Sequence, residues 1–257
     1  MGVPFSSLDQ HFSLPPIVQV DALRPFIWLR QGWNDLRWNP VPSLLYGLLL
    51  AIWGLALLTI VAPIPHLVTT AVSGFFLVAP WLMAGLYAMS EERERGRRLG
   101  FEASFAFVRR RPHALDFYAV LMVFAVLCWE RISAIVFALF YGGETPGLAD
   151  FLGSLSLSGD FLRVAIVWTI TGSVLAAWAF VVSAVSVPMM LHRDVDTITA
   201  MAASVRAVTA NLPAMTVWAA LIVTLTAIGF ATAMVGFVVV VPLLGHATWH
   251  AYRDTVK

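Results

Sequence analysis

The 257-residue chain is 60% hydrophobic and only 12% charged, whereas about a quarter of the residues in a soluble domain are charged. This composition excludes an ordinary soluble protein and indicates a chain that folds mainly in lipid. With 16 basic and 15 acidic residues the net charge is +1, which gives no reason to expect a nucleic-acid partner. The single cysteine, Cys128, excludes an intrachain disulfide and a cysteine-cluster metal site.

Several stretches are long and apolar enough to cross a bilayer, since about 20 apolar residues span a hydrocarbon core of about 30 Å. The first four are residues 43–62, 67–89, 117–140 and 164–191. The stretch 207–252 contains no Asp, Glu, Lys or Arg and is too long for one crossing. We expect it to turn within 229–236 and to form two spans, 213–230 and 235–252. The sequence therefore predicts an all-α integral membrane protein with six transmembrane helices.

The placement of basic residues predicts the orientation of these spans, because cytoplasmic loops retain the excess of Lys and Arg. Basic residues precede the first span, lie between the second and third and between the fourth and fifth, and follow the sixth. The connections 63–66, 141–160 and 229–236 contain none. We therefore expect a multi-pass protein of a bacterial inner membrane with both termini in the cytoplasm. Residues 1–42 form a cytoplasmic segment without a signal peptide, and residues 43–257 form the transmembrane domain.

The chain also shows a threefold pattern of amphipathic surface helix, proline and transmembrane hairpin. Apolar residues with the spacing of one helix face precede the first and fifth spans: Phe26, Leu29, Trp33 and Leu36, and then Ile198, Met201, Val205 and Val208. Pro80, Pro188 and Pro242 each lie late in the second span of a unit. A proline at such a position removes one backbone hydrogen bond, so we expect a kink in each of these helices.

Two charged residues, Glu130 and Arg131, lie inside the third predicted span. A charge at that depth costs several kcal/mol unless it is paired or hydrated. Adjacent helical residues point about 100° apart, so we expect further partners, with Arg163 for Glu130 and Asp160 for Arg131. Three interpretations remain open: a buried ion-pair network that fixes helix register, a proton or ion path, and a subunit interface.

His246 and His250 are four residues apart and share one helix face, a spacing that can chelate a metal. His192, Asp194 and Asp196 are expected on the same side of the membrane and would complete such a site. The alternative is an interfacial belt with Trp249 and Tyr252, in which the imidazoles only form hydrogen bonds. A haem on His246 or His250 would need an opposing axial ligand, and the sequence indicates none, so no cofactor is predicted. No catalytic motif is present.

Three motifs are similar to those of a known family: Gly32–Arg37, His192–Asp196 with Ala200 and Met201, and Pro242–Arg253. The chain resembles the proteobacterial inner-membrane family called domain of unknown function 2189 from about Ala22 to Arg253. Members are sometimes labelled as cytochrome c oxidase subunits, which implies a respiratory context. The chain lacks the paired histidines of a haem-copper subunit, so the resemblance does not imply oxidase chemistry.

The sequence as a whole favours a non-enzymatic accessory, assembly or scaffold protein that contacts lipid and other membrane proteins, with a respiratory complex as the expected partner. The alternative is a small transporter or channel with a path near Glu130 and Arg131. Copurification from native membranes distinguishes the two.

Overall fold

The computed structural model describes residues 14–61, 83–109, 112–141, 159–193 and 195–257. Within these ranges the chain is helical, with one isolated β-bridge between Ile17 and Val256. The helices are α1 Arg24–Trp38, α2 Pro40–Val61, α3 with described residues 83–94, α4 Phe101–Arg109, α5 Pro112–Tyr141, α6 Gly159–Ser183, α7 Ser186–His192, α8 Thr197–Ala210, α9 Leu212–Ala231 and α10 Phe237–Thr255.

Four segments of the described residues are long and apolar enough to cross a membrane: Pro40–Leu57, Leu115–Val136, Ile166–His192 and Leu212–Ala231. They coincide with the first, third, fourth and fifth predicted spans, and the prediction of an all-α integral membrane protein is confirmed. Most of the second predicted span, 67–89, lies outside the described residues. The sixth coincides with α10, whose second half carries His246, Thr248 and His250. The number of six spans stays a prediction.

The fourth predicted span is not one continuous helix. α6 ends at Ser183, a turn occupies residues 184–185, and α7 begins at Ser186. Pro188 has no N–H to donate to the carbonyl of Ala184, and its ring crowds that carbonyl. The helix is therefore interrupted at residues 184–185, one turn before the proline. Pro242 lies inside α10 without ending it. Pro80 lies outside the described residues.

Two short helices, α1 and α8, each pack one face on the bundle and expose large apolar side chains on the other. In α8, Ala200, Ala203 and Ala207 are fully buried, whereas Ile198 and Val205 are exposed. In α1, Gly32 contacts α10 so closely that a Cβ there would lie 2.7 Å from the backbone nitrogen of Ala247. This outward placement of large apolar groups is the arrangement expected of helices at a lipid surface.

The predicted order of short helix, proline and long helix occurs at α1–α2, α4–α5 and α8–α9. The second long helix of the first unit falls largely outside the described residues, so the threefold repeat itself stays a prediction. α10 packs along both α1 and α2. Gly47 of α2 lies directly against the carbonyl of Val238, where no side chain would fit.

Residues 16–20 bind residues 255–257 and Asn211 at one end of the bundle. Val18 N–H donates to the carbonyl of Thr255 at 3.0 Å, and Lys257 N–H donates to that of Pro16 at 3.1 Å. The Asn211 side chain between α8 and α9 accepts from Val20 N–H at 2.8 Å. The arginines at the ends of α3, α7 and α10 lie at this same end, since they contact α1, α10 and α3, respectively. The basic ends predicted to share one side of the membrane therefore meet in space.

This shared end predicts the sidedness of two positions. In a Cys128→Ser background, Pro146→Cys between α5 and α6 should react with a membrane-impermeant maleimide added outside intact cells. Lys257→Cys should react only after permeabilisation, because it lies with the basic ends that positive-inside placement assigns to the cytoplasm. Labelling of both positions from the same side would contradict the orientation.

Candidate functional site

A buried polar cluster joins four helices at the end of the bundle where residues 16–20 contact residues 255–257. Its members come from α1, α2, α3 and α10: Asp35, Ser43, Ser90, Arg93, His246 and His250. Ser43, Ser90, Asp35 and His246 expose 0%, 1%, 3% and 1% of their surface. Polar groups this deeply buried are stable only when they bind one another.

Asp35 is the hub of this Asp35 cluster. Its Oδ2 accepts a hydrogen bond from Ser90 Oγ at 2.5 Å and lies 3.0 Å from His250 Nε2. Its Oδ1 accepts from the guanidinium of Arg93, whose side chain is 31% exposed. A buried carboxylate without such partners would cost several kcal/mol. Asp35 therefore ties α1 to α3 and α10.

His246 extends the cluster to α2. Its Nδ1 lies 2.8 Å from Ser90 Oγ, and its Nε2 lies 2.9 Å from Ser43 Oγ. The single hydroxyl hydrogen of Ser90 goes to Asp35, so Nδ1–H of His246 must donate to Ser90. In the neutral imidazole, Nε2 then accepts from Ser43. This tautomer is assigned from the hydrogen-bond inventory, and it gives Ser43, Ser90 and His246 each a hydrogen-bond partner.

Ser43 has a second possible acceptor. Ser43 Oγ also lies 2.8 Å from the carbonyl oxygen of Asn39, to which it can donate instead. If the Ser43 hydroxyl turns to Asn39, Nε2–H of a protonated His246 can donate to Ser43 Oγ. Complete burial disfavours a charged imidazole, however, so the cluster holds His246 in the neutral form.

The order Ser43, His246, Ser90, Asp35 is similar to the order of nucleophile, base and carboxylate in hydrolases. A nucleophile must approach a substrate carbonyl, however, and Ser43 is fully buried beneath its neighbours. The arrangement can therefore fix four helices, but it offers no access for an acyl substrate.

A rim of contacts surrounds the cluster. Glu94 accepts a hydrogen bond from Trp249 Nε1 at 2.8 Å, and its other oxygen lies 3.3 Å from Arg253 Nε. One turn further along the same face of α10, Tyr252 OH lies 2.8 Å from His192 Nδ1 and accepts from Arg193 Nε at 2.9 Å. These contacts fix the ends of α3 and α7 to the last turns of α10.

The histidines considered as metal ligands have these other partners. His246 and His250 do share a face, but that face meets Asp35, and His192 contacts Tyr252. Asp194 lies outside the described residues. Across the ranges that the structure describes, no group of three or more His, Cys, Asp or Glu side chains is placed to hold a metal ion.

Asp196 caps α8. Its Oδ1 accepts from Thr199 N–H at 3.0 Å, and its Oδ2 accepts from Thr199 Oγ1 at 2.6 Å. Burial tends to raise the pKa of Asp196, but the hydrogen bonds from Thr199 outweigh it, and the pKa lies below its usual value. Asp196 is therefore a charged N-cap in the manner expected of aspartate at a helix start.

The intramembrane charges on α5 contact each other. Arg131 Nη2 lies 3.2 Å from Glu130 Oε2, and the two side chains are 76% and 27% exposed, respectively. The length of the arginine side chain bridges the angle between neighbouring positions. Arg163 is exposed, and the side chain of Asp160 lies outside the described part of the chain. The expected pairing with Arg163 and Asp160 stays a prediction.

Sequence reasoning missed Asp35, Ser43, Ser90 and Arg93. One signal was available, because the inward face of α1 consists of Pro25, Trp28, Gly32, Asp35 and Leu36. A lone carboxylate on such a face needs a buried partner. The motifs Gly32–Arg37 and Pro242–Arg253 contain Asp35 and both histidines of the cluster.

Residues 67–192 match the model of a family described as "Predicted integral membrane protein (DUF2189)". The match covers just under half of the chain and includes Ser90, Arg93 and the Glu130–Arg131 pair. No curated protein and no solved structure matches the chain. Together with the four apolar segments, the match identifies an integral membrane protein.

Removal of the hub should destabilise the protein strongly. Asp35→Ala leaves Arg93, His250 and Ser90 without their acceptor and should cost roughly 3–5 kcal/mol of unfolding free energy, measured by denaturation in detergent. Glu92→Gln is the control, since it removes a carboxylate that pairs with Arg95 and Arg97 at the helix surface. It should cost at most about 1 kcal/mol. Equal losses for the two variants would contradict the role of Asp35.

Asp196 provides a test between cap and ligand. Asp196→Ala should cost about 1 kcal/mol of unfolding free energy, whereas Asp196→Asn should retain most of the stability, because asparagine also caps helices. Since the pKa of Asp196 is lowered on folding, its charge contributes fully above the usual value of 3.8 and the contribution is lost as the pH falls below it. Equal loss with alanine and asparagine, reversed by an added divalent metal, would show a ligand instead.

Proposed function

We propose that this chain is a non-enzymatic accessory, assembly or scaffold protein of a bacterial inner membrane that works by binding other membrane proteins. The observation that carries the proposal is the outward-facing charge pair on α5. Arg131, 76% exposed, lies on a helix that is long and apolar enough to cross the membrane. A respiratory complex is the first partner to test.

The depth of the pair makes a neighbour necessary. Glu130 lies six residues before the end of the apolar segment Leu115–Val136, hence about 9 Å inside that end at 1.5 Å per residue. An arginine at this depth in lipid costs several kcal/mol unless polar groups surround it. Glu130 supplies one such group, and a polar group on a neighbouring helix would supply the rest.

The face of α5 that carries Arg131 has the pattern of a helix–helix interface. Residues three or four positions apart are all exposed there: Phe117, Val120, Phe124, Leu127, Arg131 and Ile135. This spacing forms one seam along the helix. The opposite face already packs on α6, where Trp168 Nε1 donates to Ser133 Oγ at 2.8 Å. We name the exposed residues the α5 seam.

The low burial of the spans also supports the proposal. Only 11% of the segment Leu115–Val136 and 22% of Leu212–Ala231 are buried within the chain. The Asp35 cluster supports a structural role as well, since its reactive groups bind one another. The oxidase label of the family that the chain resembles suggests a respiratory partner, and this step is analogy.

A small transporter or channel is the second candidate. The hydrogen-bonded series Ser43, His246, Ser90 and Asp35 favours it, because each member can give or accept a proton. A path near Glu130 and Arg131 would run along the α5 seam, which faces away from α6. An oligomer would be needed to enclose such a path.

Copurification from native membranes in mild detergent tests the proposal. The parent protein should bring down a stoichiometric membrane partner. With the Glu130→Gln/Arg131→Gln variant, the amount of copurified partner should fall roughly tenfold or more. Removal of a buried interfacial charge pair should cost more than about 1.4 kcal/mol of binding free energy. Haem absorbance in the parent sample would indicate a respiratory complex.

The matched control is Glu91→Gln/Arg95→Gln, which removes an ion pair of the same type at the surface end of α3. This variant should retain the partner. A monodisperse parent protein without a partner, together with reproducible ion or solute flux after reconstitution, would overturn the proposal in favour of the transporter.

A further inference from the structure

The outward face of α1 combines cationic and aromatic side chains. Exposed residues on one side of the helix form a stripe: Phe26, Ile27, Arg30, Trp33, Arg37 and Trp38. The inward face of the same helix carries Trp28, Gly32 and Asp35 against α10. A helix with one packed face and one face of alternating basic and aromatic groups is typical of the boundary between membrane and water.

Chain connectivity fixes the depth of this face. The apolar segment Pro40–Leu57 begins two residues after Trp38. Trp38 and Arg37 therefore lie at the start of a membrane crossing, where the lipid headgroups are. Tryptophan is enriched at this depth because its ring is amphipathic.

A second element brings another cation to the same place. Asn39 Nδ2 donates to the carbonyl of Leu99 at 2.7 Å, which holds the loop after α3 against the end of α1. The guanidinium carbon of Arg98 lies 4.8 Å from the centroid of the Trp38 ring. The ring face thus positions Arg98 beside the exposed end of α1.

The eight arginines of α1, of residues 93–98 and of α10 fall into two groups. Five have a carboxylate partner: Arg24, Arg93, Arg95, Arg97 and Arg253. Arg30, Arg37 and Arg98 are exposed and form no ion pair with any residue in the described ranges. The three arginines without an acidic partner lie near Trp33 or Trp38 in sequence or in space.

We infer that Arg37, Arg98 and Trp38, with Arg30 and Trp33 one to two turns away, form a binding site for the headgroup of an anionic phospholipid. The two guanidinium groups bind the phosphodiester oxygens, a geometry for which the planar arginine fork is suited. Trp38 packs against the glycerol and upper acyl region. The negative charge of the cytoplasmic leaflet matches this surface. The inference rests on membrane embedding and is independent of the proposed scaffold role.

Lipid titration followed by native mass spectrometry tests the site. The delipidated full chain in neutral detergent should bind phosphatidylglycerol more tightly than phosphatidylcholine. Arg37→Gln/Arg98→Gln should weaken phosphatidylglycerol binding roughly tenfold or more. Each basic group near an anionic membrane surface contributes roughly fivefold in affinity, and this variant removes two of them. Trp38→Leu should weaken both lipids, because it removes the interfacial ring.

The matched control is Arg95→Gln/Arg97→Gln, which removes the same charge from the neighbouring loop, where both arginines already bind Glu92. Its phosphatidylglycerol affinity should stay within about twofold of the parent. Equal weakening in both double variants would show a nonspecific attraction between the basic residues and the lipid, and it would overturn the inference.

Two other ligands are outcomes of the same test. Competition by millimolar inorganic phosphate alone would show a soluble anion site, and retention of an acidic protein in place of lipid would show a protein surface. Either result would overturn the lipid assignment.

If the Arg37→Gln/Arg98→Gln variant fails to fold, the parent protein decides the question. Its phosphatidylglycerol binding should weaken as salt is raised, because the contact is electrostatic. Equal binding of phosphatidylglycerol and phosphatidylcholine at low salt would overturn the inference.

Discussion

A carboxylate can be buried at the end of a membrane bundle only if donors from several elements reach it, and this constraint shapes the molecule around Asp35. The donors come from α3 and α10, and His246 carries the network on to α2. Because these helices are distant in the chain, the cluster forms only when the bundle is assembled. A buried polar group that lacks its hydrogen-bond partner destabilises the fold, so the network favours the one register of the helices in which all partners meet.

Close backbone contacts allow the helices to meet around this carboxylate. Gly32 lets α1 approach the backbone of α10, and Gly47 lets α2 approach the start of the same helix. The large apolar residues displaced from these contacts, such as Phe26 and Trp33, point outward instead. In water this arrangement would expose an unfavourable surface, but at a lipid boundary it places aromatic groups where they are stable. The same sequence choice therefore serves both the inner and the outer face of α1.

Hydropathy and length predicted the apolar segments well, because crossing a bilayer is a demand on each segment alone. The break before α7 also followed from one local residue, Pro188. The cluster could not be read in this way, since Asp35 and His250 are 215 residues apart in the chain and nothing local links them. The shared face of His246 and His250 followed from their four-residue spacing, and both imidazoles lie against the carboxylate of Asp35. For Glu130 and Arg131, the reach of the arginine side chain lets neighbouring positions on one helix meet at 3.2 Å, and the pairing with Arg163 and Asp160 stays a prediction.

Trp38 lies where the buried cluster and the outward face of α1 meet. Its ring is 5.9 Å from the guanidinium of Arg93, which binds Asp35, and 4.8 Å from that of Arg98, which faces the membrane boundary. A cation on the ring is attracted to its π-electrons, so the two guanidinium groups share one acceptor surface while they repel each other. An anion bound to Arg98 would reduce that repulsion and so favour the position of Arg93 against Asp35. Within the described residues, the indole ring of Trp38 thus contacts both the arginine that binds Asp35 and an arginine of the exposed surface.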